Sequence, residues 1–432
     1  MRYLDGLGFS VVLMAAAILS ACSPKDGLLT PTLAISEAPQ GQAAVNRAGS
    51  LDASDDLDLL YVTDRAQIAD PQTGALSYGS ERSYTMSFGS IDIRVEPDSN
   101  GALGEVKLST IKEIGRFPEV PYPAKITSAG YRRAPDVVAA HEEAVASLQG
   151  EIRRRLAKTE RKEVVVFIHG YNNTFNDAAN ATGNICRLLG SEFVCVMLTW
   201  PASGSRGAFM GYNVDRESGE FAVSDMRKAI RAIGETPGLR AVDLIAHSRG
   251  TDVLSSAFHL LGVETYVSRA SISESLRVRN IVLFAPDIDI DVATTKIFDV
   301  FSDPDEPYGA KKNPSATIKQ GSLHLTIYSS PADQALSLSS SIFGSRLRLG
   351  QLNLSGPEAK ALRADPGHFA DLIEVDDNTG EFGHGYFLSN PAVRSDLVAL
   401  IRDGLMPGDP GRQLIEIGKA FWRIPTAQAA GR

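Results

Sequence analysis

The sequence predicts an α/β fold, with a mostly parallel central sheet and helices on both of its faces. Three observations point there. Val164–Ile168 is an unbroken β-branched and aromatic run, as expected of a strand covered on both sides. From that run to about Leu400, extended segments alternate with helical ones, the signature of parallel strands joined by crossovers. The chain has 432 residues, 43% of them hydrophobic, enough for a large core, and its Gly and Pro usage excludes collagen-like or disordered classes.

The N-terminus reads as an address. Arg2 and Asp5 precede an apolar run from Leu7 to Ala21, shorter than the roughly 18–20 residues that span a bilayer. Residues 1–21 are therefore predicted to be a lipoprotein signal peptide. Leu19-Ser20-Ala21-Cys22 resembles the bacterial lipobox, so Cys22 is the expected lipidation site; ordinary cleavage beside an incidental thiol is the alternative. Ser23 after the cysteine is similar to the outer-membrane pattern. Acyl chains at Cys22 would hold an exported protein on a bacterial membrane, here the periplasmic side of the outer membrane. Residues 22–56, rich in Ala, Ser, Asp, Pro and Gln, read as a flexible tether.

Residues 57–160 read as an N-terminal extension of strands plus one helix, packed on the core. Tyr61-Val62-Thr63 opens it, and Tyr84–Phe88 and Ile91–Val95 alternate at period two, with Phe88-Gly89-Ser90 as a break. Pro135 starts a helix over 135–157. Val138, Val145, Leu148, Ile152 and Leu156 form its stripe, and Arg153–Arg155 read as a solvated terminus. Residues 161–405 form the principal domain. Strands are expected at Val164–Ile168, Val194–Thr199, Val242–Ala246, Asn280–Phe284, Leu323–Tyr328 and Leu372–Val375, the last two closing the sheet. Helices are expected at Asn176–Leu189, Ser218–Ile233, Gly250–Leu261 and Ala392–Leu400. Residues 406–432 read as a tail.

Charge and cysteines narrow the function. Lys plus Arg number 43 against 52 acidic residues, a net charge of −9, which argues against a nucleic-acid partner. Three cysteines are too few for a disulfide scaffold or a four-thiolate zinc site. Cys186 and Cys195 lie at a helix end and in the next strand; a disulfide and two buried thiols fit equally well. Asp287, Asp289 and Asp291 alternate as calcium ligands might, but an EF-hand frame needs Gly where Val292 stands and Glu where Phe298 stands. No metal or cofactor is predicted.

The chemistry centres on Ala246-His247-Ser248-Arg249-Gly250, which joins a strand directly to a helix. A turn so tight needs small residues on both sides of the central serine, and it lifts the hydroxyl off the sheet. Ser248 is the candidate nucleophile; a helix-capping serine is the plainer reading, but a cap does not require that spacing. On this strand–turn–helix plan the acid and then the histidine follow the serine. His141 and His169 precede it, His247 adjoins it, and His259 and His324 lie within a helix and a strand. His368 precedes the final strand. His384, in Gly383-His384-Gly385-Tyr386 beyond a strand's carboxyl end, is the candidate base. Asp333, in Ser329-Ser330-Pro331-Ala332-Asp333, is favoured over Asp287 as the acid, because it follows the strand before the histidine-bearing one. The amides of Tyr171 and Arg249 are the expected oxyanion donors, with Gly170 letting backbone approach a ligand and His169 orienting the loop. Trp200 and Tyr212, with the loop 202–216, are expected to wall a substrate pocket.

The succession His169-Gly170-Tyr171-Asn172, Thr199-Trp200-Pro201, Tyr212 to Asp215, the Ser248 turn, Ala285-Pro286-Asp287, Asp333 and Gly383-His384 resembles a bacterial α/β-hydrolase family of unknown function, often labelled esterase/lipase superfamily. Tyr61–Arg65, Ser77–Arg82 and Phe88-Gly89 resemble its N-terminal signature, so the resemblance covers roughly 58–405. It implies the α/β-hydrolase fold and a Ser248–Asp333–His384 triad. Arg249 departs from a common methionine and puts the neighbouring part of the pocket in doubt. The reading that follows is a serine ester hydrolase for small-molecule or lipid esters. Acyl transfer by the same triad and a membrane-anchored binding module are its alternatives.

Overall fold

The computed structural model describes residues 57–95, 106–203, 208–298, 322–345, 347–357, 359, 370–376 and 381–425. The signal segment, Cys22, the tether and His368 lie outside them.

The predicted parallel sheet is present and extends further than the sequence suggested. Its strands are β1 (Leu57–Ala69), β2 (Leu76–Val95), β3 (Val106–Arg116), β6 (Glu163–Ile168), β7 (Phe193–Thr199), β8 (Ala241–His247), β9 (Val278–Phe284), β10 (His324–Ser329), β11 (Ala370–Glu374), β12 (Ile415–Gly418) and β13 (Phe421–Arg423). A separate exposed hairpin pairs β4 (Ala124–Thr127) with β5 (Gly130–Arg133). The spatial order is β12-β13-β11-β10-β9-β8-β6-β7-β1-β2-β3. Pairing is parallel from β13 through β1, while β12 and the β2–β3 pair are antiparallel edges.

The unbroken run of β6 has a direct cause. Val164, Val166 and Ile168 enter one core and Val165 and Phe167 the other, so neither face meets water. The first core is covered by α1 (Pro135–Leu156), α3 (Ala208–Gly234) and α4 (Gly250–Val267), and the second by α2 (Phe175–Leu189) and α6 (Pro391–Ile401). Between β10 and β11 the chain forms α5 (Gln334–Phe343). Thr174 caps α2 through a reciprocal capping box with Asp177. No helix among the described residues is long and apolar enough to cross a membrane.

Several expectations are corrected. Phe88-Gly89-Ser90 is not a break but a register shift within β2. A Cβ on Gly89 would lie 2.0 Å from the Lys112 carbonyl oxygen, so only glycine admits that approach. Arg155 is not solvated: it is buried, paired with Glu151 at 2.8 Å and with Asp58 of β1. Helix α3 starts ten residues before Ser218, because its first turns bury Tyr212, Asp215 and Ser218, a mostly polar stripe that hydrophobic periodicity does not register. The segment 406–432 contains strands, with Phe421 beside Leu372 and Trp422 beside Ile373, so β10 and β11 do not end the sheet. Three residues are too few to show a period. Cys186 and Cys195 are joined in a disulfide, Cα atoms 6.2 Å apart, tying α2 to β7.

Candidate active site

At the carboxyl end of β8 the chain reverses into α4 through Ser248, whose φ of +53° lies in the left-handed region. A non-glycine residue rarely sits there, and such strain is held only where neighbours over-determine it. They do so here. The Ser248 N–H donates to the Phe284 carbonyl at 2.9 Å, and its carbonyl accepts from the Thr251 hydroxyl at 2.6 Å and the Asp287 N–H at 3.3 Å. The serine is not the helix cap; Arg249 occupies the N-cap position without a side-chain capping bond. The small flanking residue is required sterically, since a Cβ on Gly250 would lie 2.2 Å from the His169 carbonyl oxygen.

His384 and Asp333 meet at this turn although 51 residues separate them: His384 Nδ1 and Asp333 Oδ2 are 2.7 Å apart. Asp333 is fully buried, and its other oxygen caps α5 by accepting from the Leu336 N–H at 3.0 Å. One carboxylate thus fixes a helix start and the imidazole together. Burial pulls the His384 pKa down, but the Asp333 carboxylate, by charge and hydrogen bond, and Asp287, by charge, outweigh it. The pKa stands above the ordinary histidine value. His384 keeps 20% of its side chain exposed, so it is reachable. No hydrogen bond joins the Ser248 side chain to His384 among the described residues.

His247, which adjoins the serine in the sequence, packs against His384. Its Nε2 donates to the His384 carbonyl at 3.2 Å, and its ring stacks on Phe387 with centroids 4.4 Å apart. Burial, and then the nearby His384, hold its pKa well below the usual value, so it stays neutral. The rival acid, Asp287, does not contact His384. It accepts from the Tyr212 hydroxyl and from Ser339 Oγ at 2.8 Å, and lies 3.3 Å from Arg348 Nε. Asp289 caps the short helix that follows. No group of three metal-binding side chains occurs among the described residues.

The loop after β6 presses on the serine from the other side. A Cβ on Gly170 would lie 2.7 Å from Ser248 Cβ. His169, fully buried, bonds to the Gly170 carbonyl through Nδ1 at 2.9 Å, and its Nε2 accepts from the Trp200 N–H at 3.1 Å. These partners assign a neutral ring with the proton on Nδ1. Burial first, and then the charge of Arg65, push its pKa well down. Trp200, expected in the pocket wall, is wholly enclosed. It stacks on His169 at 5.1 Å and donates its indole N–H to the His169 carbonyl, so it braces the loop from behind. Tyr212 is buried against this loop, its ring 4.9 Å from Tyr171 and 4.8 Å from Phe343. The Arg249 guanidinium turns to Asp252, 2.8 Å away, which also holds Lys296 at 2.6 Å.

Two further side chains support this loop, and neither stands out in the sequence as doing so. Asp215 accepts from the Asn172 N–H at 2.9 Å and the Ser203 N–H at 3.2 Å. Arg65, from β1, is 1% exposed. It donates to Thr199 Oγ1 at 2.9 Å, to the carbonyls of Gly79 and Ala202 at 3.0 Å each, and to the Asn173 carbonyl at 2.7 Å. Only a guanidinium carries enough donors for that set. Burial lowers its pKa to about 10, so it remains charged at neutral pH. The signal available was the motif Tyr61–Arg65 itself, whose function the sequence left unexplained.

A family model described as alpha/beta hydrolase of unknown function (DUF900) matches residues 144–403. No curated protein matches the chain. Among solved structures, a lipase-esterase related protein from Clostridium acetobutylicum aligns at 10% identity, covering 57% of this chain and 96% of that one, with a TM-score of 0.30. The RedJ thioesterase of the prodiginine pathway in Streptomyces coelicolor aligns at 13% identity over 58% and 92%, with a TM-score of 0.29. At those scores neither likeness carries an argument about this chain.

Proposed function

The chain belongs to this family of α/β hydrolases of unknown function, and from that premise we propose that it is a serine ester hydrolase working through an acyl-enzyme on Ser248. The observation that supports this most is the 2.7 Å pair of His384 and Asp333 beside a serine held at positive φ. In this reading Ser248 Oγ attacks the ester carbonyl carbon while its proton passes to His384 Nε2. Asp333 holds the ring with Nδ1–H facing it and stabilises the imidazolium. The amides of Tyr171 and Arg249 bind the oxyanion. Collapse breaks the ester C–O bond, and the departing alkoxide takes the proton from His384. Water, deprotonated by the same nitrogen, then releases the acid and restores Ser248. Gly170 admits the substrate's approach, and the aromatic rings of Tyr171 and Tyr212 suit an apolar acyl group. A small-molecule or lipid ester is the substrate class.

Covalent labelling of Ser248 by a fluorophosphonate tests the reading. The full chain is expected to label, Ser248→Ala not at all, and His384→Ala slowly. A folded parent that does not label would remove the enzyme reading and leave a binding module. Labelling without ester hydrolysis, but with transfer to added alcohols, would make it an acyltransferase. We further propose that the protein is exported and anchored by lipid at Cys22; the Cys186–Cys195 bond supports an oxidising compartment. Membrane-fraction recovery unchanged in Cys22→Ala would refute the anchor.

A further inference from the structure

We propose that the β4–β5 hairpin is a membrane-docking wedge that enters the surface of an anionic phospholipid bilayer tip first. The inference assumes neither the Ser248 chemistry nor the lipid at Cys22; it rests on the surface of the hairpin itself. Residues 123–133 are exposed without interruption. Ile126 and Tyr131 are 78% and 79% exposed, the most exposed large apolar side chains among the described residues. Single exposed apolar residues are ordinary on a protein surface. These two differ because they are register partners across the hairpin and so form one pair on one face. Tyr84, also exposed, stands at the hairpin's foot, where its carbonyl accepts from the Val120 N–H at 2.8 Å.

Charge completes the pattern. The stretch 120–135 carries Lys125, Arg132 and Arg133 and no acidic residue, within a chain of net charge −9. None of the three forms an ion pair among the described residues. Counted from the Ser128-Ala129 turn, the rungs run Thr127–Gly130, Ile126–Tyr131, Lys125–Arg132 and Ala124–Arg133. At roughly 3.3 Å per residue, the two basic rungs lie about 3 and 7 Å behind the apolar one. A wedge entering by its tip thus carries Ile126 and Tyr131 to the acyl boundary while its cations stay among the headgroup phosphates. Apolar first and cationic behind is the order in which an anionic bilayer receives them.

Two further features suit insertion. Polar backbone groups carried toward lipid must be satisfied within the chain. At the tip, Thr127 Oγ1 donates to the Gly130 carbonyl at 2.8 Å and accepts from the Ala129 N–H at 3.3 Å. The foot, in turn, is fixed. The Ala134 N–H donates to the Pro123 carbonyl at 3.3 Å, and the Tyr122 hydroxyl lies 3.2 Å from His141 Nδ1 of α1. Lys228 Nζ of α3 sits 5.1 Å from the centre of the Tyr122 ring. The exposed strands therefore stand on ground held by two helices of the core, so the force of docking is transmitted to the whole domain.

The test places a nitrobenzoxadiazole fluorophore on Ser128→Cys in the full chain carrying Cys22→Ala. Cys186 and Cys195 are joined, so the introduced thiol is the one that reacts. The fluorophore reads the tip alone, and a chain held to lipid elsewhere does not brighten it. Vesicles of phosphatidylcholine with one-third phosphatidylglycerol are expected to brighten and blue-shift it. Pure phosphatidylcholine should not, and added salt should reverse the change. Ile126→Ser with Tyr131→Ser is expected to raise the lipid concentration for half-maximal change roughly 10-fold or more. Lys125→Gln, Arg132→Gln and Arg133→Gln are expected to raise it about fivefold for each charge removed. All five positions are exposed, and circular dichroism with urea unfolding checks that each variant is folded. A fluorophore that does not respond to anionic vesicles overturns the inference before any further substitution is made. So does an equal response to both vesicles, or one unchanged in either folded variant set. Brightening without lipid that grows with protein concentration would make the hairpin a contact between copies of this chain, and overturn it likewise.

Discussion

Gly170→Ala places one methyl group between the loop after β6 and the serine turn. The new Cβ would stand 2.7 Å from Ser248 Cβ, 3.1 Å from the His247 carbonyl oxygen and 3.2 Å from His247 Nδ1. Carbon–carbon contacts settle near ~3.5–4.0 Å, so loop and turn must part by roughly 1 Å. Neither side gives easily. Thr251 and Asp287 hold the Ser248 carbonyl, while Arg65 and Asp215 hold the loop at Asn173 and Asn172. The displacement therefore falls on the distance between Ser248 Oγ and the Tyr171 amide. A misplacement of about 1 Å costs on the order of 10²-fold in rate, and overpacking costs about 1–3 kcal/mol of stability. The second-order labelling rate of Ser248 and kcat/KM for a short-chain ester read the first; urea unfolding reads the second. A folded Gly170→Ala protein within threefold of the parent in both rates would refute the claim that this contact sets the geometry.

Asp333→Asn should lower kcat by about 10³–10⁴-fold. Because the carboxylate raises the His384 pKa, its removal should also shift any residual acidic limb to lower pH; in the parent that limb should lie above the ordinary histidine value of about 6.5. Arg65→Lys leaves buried carbonyls at Gly79, Ala202 and Asn173 short of donors. It should cost about 3 kcal/mol or more in urea unfolding and slow Ser248 labelling, although Arg65 lies behind the loop and not in the pocket. Replacing Cys186 and Cys195 together by serine opens a bridge that spans nine positions and should cost about 2–3 kcal/mol. Dithiothreitol should then destabilise the parent and leave the double variant unchanged.

Ser248 was legible in the sequence because its turn imposes a local steric demand, visible as small residues at two fixed offsets. Asp333 and His384 were legible because the topology dictates their order along the chain, and the structure brings those two together. His247 was not, since its contact with His384 depends on how a distant loop folds back. Nor did the sequence show that Arg65 is enclosed; a charged residue in a strand usually marks a solvated edge. The early start of α3 and the strand at Phe421 escaped for a third reason. One buries a polar stripe and the other is three residues long, and periodicity detects neither.

The Arg65 brace also bears on the order in which the fold assembles after synthesis. Its bond to Thr199 joins residues 134 positions apart, and β1 can add to the sheet only once β7 exists to pair with it. Contacts of such sequence separation form late and slowly, because a long loop must close before they reward it. The first strand of the sheet to be made is thus among the last to find its place. In refolding from denaturant, helix content should return before Ser248 becomes reactive, and the interval between the two is the time β1 takes to dock.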